Sequence, residues 1–270
     1  MTISVLGCGW YGKALAISLV QKGIAVKGSA TSLEKLEQLA SSGIAPFLVQ
    51  FSADKEQFDP AFFDCDILVI SIPPKFRKGE TADYLPKIRS MISVIFKYQI
   101  KKVIYISSTG VYGDRNREVD ELSDPQPDTD SGNLLSEAET LFRTEASFKT
   151  AIIRFGGLVG SGRHPGRFFA GKTDIPNGMA PVNLIHLQDC IGISTAIIEK
   201  DTFAHTFNAV TPDHPQKADF YKEAALKAGL IAPEFIHELK NWKIVNSSNL
   251  AGLLDYHFKI QHWSDCTFNE

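Results

Sequence analysis

Residues 3–13 of this 270-residue chain, Ile3-Ser4-Val5-Leu6-Gly7-Cys8-Gly9-Trp10-Tyr11-Gly12-Lys13, decide its fold. The run 3–6 is short and largely apolar, as a buried strand requires, and three glycines spaced G-x-G-x-x-G follow it directly. A helix-period pattern then occupies 12–22, with Leu15, Leu19 and Val20 apolar and Gly23 as its stop. The three glycines have separate tasks. The first permits a tight turn, the second lets the backbone approach an anion, and the third lets helix and strand pack closely. The helix start adds unpaired N–H groups and a partial positive charge. The spacing alone is a weak pattern. Its position between a strand and a helix, inside a βαβ unit of about 30 residues, gives it weight.

Working outward, strand-like runs recur at 24–28, 47–51, 67–72, 103–107, 151–155, 182–186 and 206–210. Helical patterns alternate with them. Thr31-Ser32-Leu33-Glu34 has capping-box spacing, 84–98 is strongly amphipathic, and Leu134, Leu135, Ala138, Leu141 and Phe142 share one face after a polar loop at 109–131. Further helices are expected at 187–199 and 217–228. This alternation predicts an α/β, Rossmann-type doubly wound parallel sheet of about seven strands, covered on both faces, with a small C-terminal α/β lobe. Residues 1–155 are expected to form the nucleotide-binding core. Residues 156–270 supply the remaining sheet strands (about 182–210) and a small substrate lobe (about 156–181 and 211–270). Such sheets bind ligands at the carboxyl ends of their strands, here 7–12, 28–32, 71–75, 107–113 and 155–167, which should converge on one crevice.

Composition narrows the function classes. The chain is 44% hydrophobic and 22% charged with a formal net charge of −3, so a sizeable core is possible and no basic excess points to nucleic acid. The four cysteines, Cys8, Cys65, Cys190 and Cys266, form no C-x-x-C pair, which fits free thiols in a reducing compartment. The apolar start is too short for a leader peptide, and no run approaches the roughly 20 apolar residues of a membrane span, so a cytoplasmic protein is expected. Histidines and cysteines show no ligand spacing, so no metal site is expected.

The glycine turn implies NAD(P), with Gly7, Gly9 and Gly12 placing the pyrophosphate, Tyr11 among the cofactor contacts, and Trp10 packing under the cofactor or at the domain seam. An acidic residue about 20 positions on would take the adenosine ribose, yet none occurs between Lys13 and Leu33. Ser29, Thr31 and Ser32 stand there instead, and small hydroxyls without a carboxylate do not repel a 2′-phosphate. This favours NADP over NAD, although no arginine is present for a bidentate contact. Ser71, Ile72, Pro73 and Ser107, at strand ends, complete the expected cofactor contacts.

By the fifth strand a family resemblance emerges. Ser107-Ser108-Thr109-Gly110-Val111-Tyr112-Gly113 resembles the SS-x-x-VYG segment of the extended short-chain dehydrogenase/reductases, the NAD-dependent epimerase/dehydratase family. Asn183-Leu184-Ile185-His186-Leu187-Gln188-Asp189 and Phe207-Asn208-Ala209-Val210 resemble two later segments of it. Arg154-Phe155-Gly156-Gly157-Leu158-Val159-Gly160-Ser161-Gly162-Arg163-His164-Pro165 resembles a segment of a short atypical branch, the YeeZ-like proteins, with Val159 where that pattern has Tyr. The resemblance implies redox or epimerase/dehydratase chemistry on a small hydroxylated or nucleotide-linked substrate.

That chemistry uses a Tyr-x-x-x-Lys pair, in which the phenol exchanges a proton with a substrate hydroxyl while the lysine lowers its pKa. The family pattern places Ser131 at the Tyr and Leu135 at the Lys, with Glu139 on a following glutamate. Ser108 stands where the family's third, hydrogen-bonding member does. Tyr112 is the nearest phenol and the other catalytic candidate. Arg163, His164 and Arg167, on a glycine-rich loop, are candidates to hold a substrate anion. His186 is read as a satisfied, partly buried histidine and Asp189 as a helix start. The loss of both Tyr and Lys leaves two further possibilities open. One is an acid from the C-terminal lobe, such as His237 or Tyr256. The other is a non-catalytic NAD(P)H-sensing or protein-interaction module.

Overall fold

The computed structural model describes residues 1–52, 56–74 and 82–268. The strands are β1 (Thr2–Leu6), β2 (Ala25–Ala30), β3 (Ala45–Leu48), β4 (Gln50–Phe51), β5 (Glu56–Gln57), β6 (Ile67–Ile70), β7 (Lys102–Ser108), β8 (Arg117–Val119), β9 (Lys149–Phe155), β10 (Gly157–Val159), β11 (Leu184–His186), β12 (Thr206–Ala209) and β13 (Lys243–Val245). The helices are α1 (Trp10–Gln21), α2 (Leu33–Ala40), α3 (Tyr84–Lys97), α4 (Asp130–Thr144), α5 (Gly166–Phe169), α6 (Leu187–Glu199), α7 (Lys217–Lys227) and α8 (Ser248–Leu254). Seven strands form one parallel sheet in the order β12-β9-β7-β6-β1-β2-β3. The chain steps outward in one direction from β1 to β3 and in the other from β6 to β12. The reversal therefore lies between β1 and β6, at the mouth of the glycine turn.

The apolar strands dictate cover on both faces. All four residues of β6, Ile67-Leu68-Val69-Ile70, are buried, which a sheet with one wet face would not allow. On one face Leu15 and Leu19 of α1, Ile193 and Ile197 of α6 and Leu250 of α8 pack in one cluster with Ile3, Val5 and Val69. On the other, Ile88, Met91 and Ile95 of α3 meet Ala138 and Phe142 of α4 over Leu68, Ile70 and Tyr105. A third cluster gathers Val159, Val182, Leu184, Phe220, Tyr221 and Trp263.

Several boundaries differ from expectation for local reasons. The run at 182–186 does not join the main sheet, because β11 pairs only with β10. Just past β9 the chain leaves the sheet as β10, and the Gly157 N–H donates to the Asn183 carbonyl at 2.8 Å, so β11 is taken up by that separate pair. The edge is β12 instead. The run at 47–51 splits, with β4 leaving to pair antiparallel with β5. The capping box fails, since α2 starts after Ser32 and no side chain caps it. The polar loop at 109–131 contains a 3₁₀ turn (Thr109–Val111) and β8, which pairs with β13 near the end of the chain. Position 75, expected at the crevice rim, lies outside the described residues.

Candidate active site

The glycine turn is built so that little else fits. Gly7 has φ +98°, and a Cβ there would lie 2.7 Å from the Ser71 carbonyl oxygen. At Gly12 a Cβ would lie 2.3 Å from the Gly7 oxygen, so α1 seats directly on the turn. Gly9 faces open space. Ser29, buried at the end of β2, accepts the Gly7 N–H on its hydroxyl at 2.8 Å, and its carbonyl accepts the Cys8 N–H at 3.0 Å. The serine expected to reach a ribose therefore fastens the turn. The Cys8 thiol leans on the Val5 carbonyl, and burial pushes its pKa up to about 12. Among the described residues the N–H groups of Trp10, Tyr11 and Gly12 have no acceptor, as the first turn of a helix dictates.

These N–H groups border a crevice of about 310 Å³ lined by Gly9, Trp10, Tyr11, Ser71, Pro73, Ser107, Ser108, Leu135, Phe155, Leu158 and Arg163, among others. The indole N–H of Trp10 donates to the Ser161 carbonyl at 2.7 Å, and the Arg163 guanidinium lies 4.7 Å over the Trp10 ring. Trp10 thus joins the glycine turn to the loop after β10. Tyr11 turns its hydroxyl inward to Ser194 of α6, at 2.5 Å. A second cavity of about 470 Å³ opens beyond Pro73, which lines both, and includes Thr31, Gln50, Ile72, Tyr84 and Lys87. Ser32 is exposed and lines neither.

The catalytic candidates separate. Ser108 lines the crevice, and its hydroxyl accepts the Gly110 N–H at 3.1 Å. Tyr112 does not reach the crevice. Its hydroxyl is shared between the Asp120 carbonyl at 2.7 Å and Asn208 Oδ1 at 3.1 Å, and Arg154 donates to it from above. Burial raises its pKa, against the lowering pull of Arg154. Leu135 lines the crevice one helical turn after the half-buried Ser131. One turn further, buried Glu139 accepts from Ser107 at 2.6 Å and from Arg154 at 3.0, 3.2 and 2.6 Å. The first turn of α4 is wedged against the 3₁₀ turn, where a Cβ on Gly132 would meet the Gly110 oxygen.

Of the three substrate candidates, only Arg163 lines the crevice. His164 accepts the Gly166 N–H on Nδ1 and sets its ring against Phe268, and Arg167 lies exposed on α5. The tight Gly160–Arg163 pairing turns the chain away just after Arg163. His186 caps α6 by accepting the Gln188 N–H, and burial lowers its pKa. Asp189 does more than begin a helix: fully buried, it accepts from the Tyr256 hydroxyl and the N–H groups of Lys259 and Ile260. Tyr256 is therefore engaged, and His237 is exposed and lines neither cavity.

A further cavity of about 340 Å³ was not foreseen. It lies on the lobe side of the 3₁₀ turn, between Thr109-Gly110, Lys217 and Tyr221 of α7 and Trp242-Lys243. Lys217 reads in sequence only as a helix start, and Trp242 as part of a segment with no clear period.

The strand order and the glycine turn at its reversal define the fold class, a Rossmann-type α/β protein, and the SS-x-x-VYG turn keeps its resemblance to the short-chain dehydrogenase/reductases. No family model matches the chain. The protein YeeZ of Escherichia coli K12 is 35% identical over 263 residues, covering 95% of both chains, and YeeZ of strain O157:H7 matches equally. The chain belongs to the YeeZ family. Solved structures share the fold. UDP-glucuronic acid 4-epimerase from Bacillus cereus, in complex with NAD, superposes with a TM-score of 0.79 at 18% identity, over 96% of this chain and 94% of that one. A conserved protein of unknown function from Silicibacter pomeroyi gives 0.77 at 21%, over 97% and 94%. Among the described residues no helix is long and apolar enough to cross a membrane.

Proposed function

We propose that the chain binds a nicotinamide dinucleotide along the crevice and acts on a small hydroxylated or nucleotide-linked substrate without the Tyr-x-x-x-Lys pair of the epimerase/dehydratase pattern it resembles. One observation carries the reading. Three N–H groups at the start of α1 have no acceptor among the described residues, a Cβ on the adjacent Gly9 would meet nothing within 4 Å, and the two cavities nearby share Pro73. A pyrophosphate fits that gap, with adenosine toward Thr31 and Ile72 and nicotinamide toward Ser108. The missing carboxylate at the end of β2 favours NADP over NAD. Asp83 lines the adenosine side but lies 4.0 Å from Lys87, which offsets it.

When bound, the dinucleotide supplies a hydride donor or acceptor at its nicotinamide. The chain's part follows from its own groups. Trp10, Tyr11 and Gly12 hold phosphate through the backbone, Leu135, Phe155 and Leu158 exclude water, and Ser108 offers a hydroxyl to a substrate oxygen. The described lining has no carboxylate or imidazole, and its one phenol, Tyr11, is bound to Ser194. A proton at the substrate oxygen is left to water or to the substrate itself. The same lining favours a second reading, a protein that senses NAD(P)H without turnover.

Fluorescence titration with NADPH and NADH tests the binding. Saturation by at least one, and tighter by NADPH, is expected; failure of both defeats the proposal. Turnover of any carbonyl substrate by the wild type defeats the sensor reading. Gain of reductase activity in Ser131→Tyr/Leu135→Lys supports the register of the missing pair.

A further inference from the structure

The lobe-side cavity holds a cation, Lys217, that forms no ion pair among the described residues. Lys217 stands at the start of α7, half-buried, with its ammonium 5.3 Å from the Phe169 ring centroid and 5.6 Å from that of Phe235. Of its three N–H donors, one reaches a protein acceptor, the Pro176 carbonyl at 3.3 Å. Among the described residues no carboxylate forms an ion pair with it. Burial lowers its pKa, and the more distant Asp114 opposes that. Asp114 is already committed to Lys243 at 2.9 Å. The cavity therefore carries one paired charge and one surplus positive charge.

Two other groups there are also unspent. The Tyr221 hydroxyl has no hydrogen-bond partner among the described residues, and burial alone raises its pKa to about 12. The Trp242 ring, at the cavity wall, stacks on no other ring of the described residues, and its indole N–H has no acceptor there. A lysine stem lying across phenylalanines is often mere packing, and its cation–π attraction is weak at partly exposed sites. Packing accounts for the stem but not for the grouping at its tip, where an ammonium that pairs with no carboxylate of the described residues shares one cavity with a phenol and an indole.

We propose that this cavity binds a compact oxyanion, a carboxylate or a phosphate monoester, on Lys217 with Tyr221 as a second donor. The 3₁₀ turn connects it to the crevice, with Ser108 on one side and Thr109-Gly110 on the other. Only in naming the oxyanion as the far end of the substrate does the proposal rest on the dinucleotide reading. A substrate anchored on Lys217 presents its other end toward Ser108. This gives the task expected of Arg163, His164 and Arg167 to a lysine on another element.

The test uses the full chain, with inorganic phosphate and acetate as probes at constant ionic strength in chloride. The indole N–H resonance of Trp242, assigned with Trp242→Phe, reports binding. Saturable shifts with at least one probe are expected, and the probe that binds tells phosphate from carboxylate. Lys217→Met, which keeps the stem on Phe169 and Phe235, is expected to weaken binding at least tenfold. Lys217→Arg is expected to retain it within about threefold, a check if the methionine variant folds poorly. Absence of saturation in the wild type, or binding unchanged in Lys217→Met, overturns the proposal. NADH and NADPH titrations on the same samples keep the two readings apart: anion binding that depends on Lys217 stands even if neither dinucleotide binds.

Discussion

Glu139→Gln removes one negative charge from a site that holds a buried positive one. The Arg154 and Glu139 side chains are 2% and 1% exposed, and they meet through three contacts of 2.6–3.2 Å. Glutamine keeps the shape and an acceptor for Ser107, so no cavity forms. What changes is that the guanidinium loses its counter-ion where water cannot replace it. Breaking a buried pair from one side costs about 3–5 kcal/mol, a large share of the roughly 5–15 kcal/mol that holds a typical domain together. Unfolding entropy of about 2.1 cal/mol/K per residue gives about 0.57 kcal/mol/K for 270 residues, hence a Tm lower by about 5–9 °C. Differential scanning calorimetry measures it directly. The double variant Glu139→Leu/Arg154→Met, which removes both charges, should melt closer to wild type than the single one. A drop of less than about 2 °C in Glu139→Gln would refute the view that this carboxylate is the guanidinium's essential partner.

Gly9→Ala and Gly12→Ala should part company. A methyl at Gly9 meets nothing within 4 Å, so Tm should hold within about 2 °C while dinucleotide affinity falls; at Gly12 it meets the Gly7 oxygen at 2.3 Å, so both should fall, with about 1–3 kcal/mol lost to overpacking. Asp189→Ala leaves the Tyr256 hydroxyl and the Lys259 and Ile260 N–H groups without this acceptor, and limited proteolysis is expected to cut within 255–268 faster than in the wild type. His186 has a folded pKa below its ordinary 6.5, so the unfolded state takes up its proton first as pH falls. Its contribution is complete above about 6.5 and declines toward the lower folded pKa; Tm measured from pH 8 to pH 5 should fall less steeply in His186→Asn.

The glycine turn and the α/β alternation were legible because each is a local pattern with a local cause. Apolar runs make strands, and only glycine tolerates the contacts at Gly7 and Gly12. What stayed hidden depends on partners far along the chain. Ser29 reads as a ribose ligand until the Gly7 N–H, 22 residues away, is seen to occupy it. Tyr112 reads as an acid until Arg154, Asp120 and Asn208 enclose its hydroxyl. Asp189 reads as a helix start, whereas its partners lie some 70 positions later. The lobe-side cavity had no signal at all, because Thr109, Lys217 and Trp242 share no spacing and are gathered only by the pairing of β8 with β13 and the seating of α7.

The parts that hold a phosphate and the parts that would move a proton depend on different residues. The turn is fixed by Ser29 and by its close approach to Ser71, at the ends of β2 and β6, and by the seat of α1. Leu135 stands on α4, which is none of these elements, so a side chain without an amine at that position is compatible with an intact turn. The ionisable groups nearest the Ser107 end of the crevice are absorbed elsewhere, Glu139 by Arg154 and Ser107, and Arg154 by Glu139 and Tyr112. A tyrosine placed at Ser131 would therefore find no spare cation to lower its pKa, and Ser131→Tyr alone should stay inactive. The ammonium introduced by Leu135→Lys in the double variant would supply it, provided the desolvation imposed by Phe155 and Leu158 does not keep that amine neutral. Activity in the double variant that rises with pH and then falls as the introduced amine deprotonates would show that the crevice lacks only these two side chains.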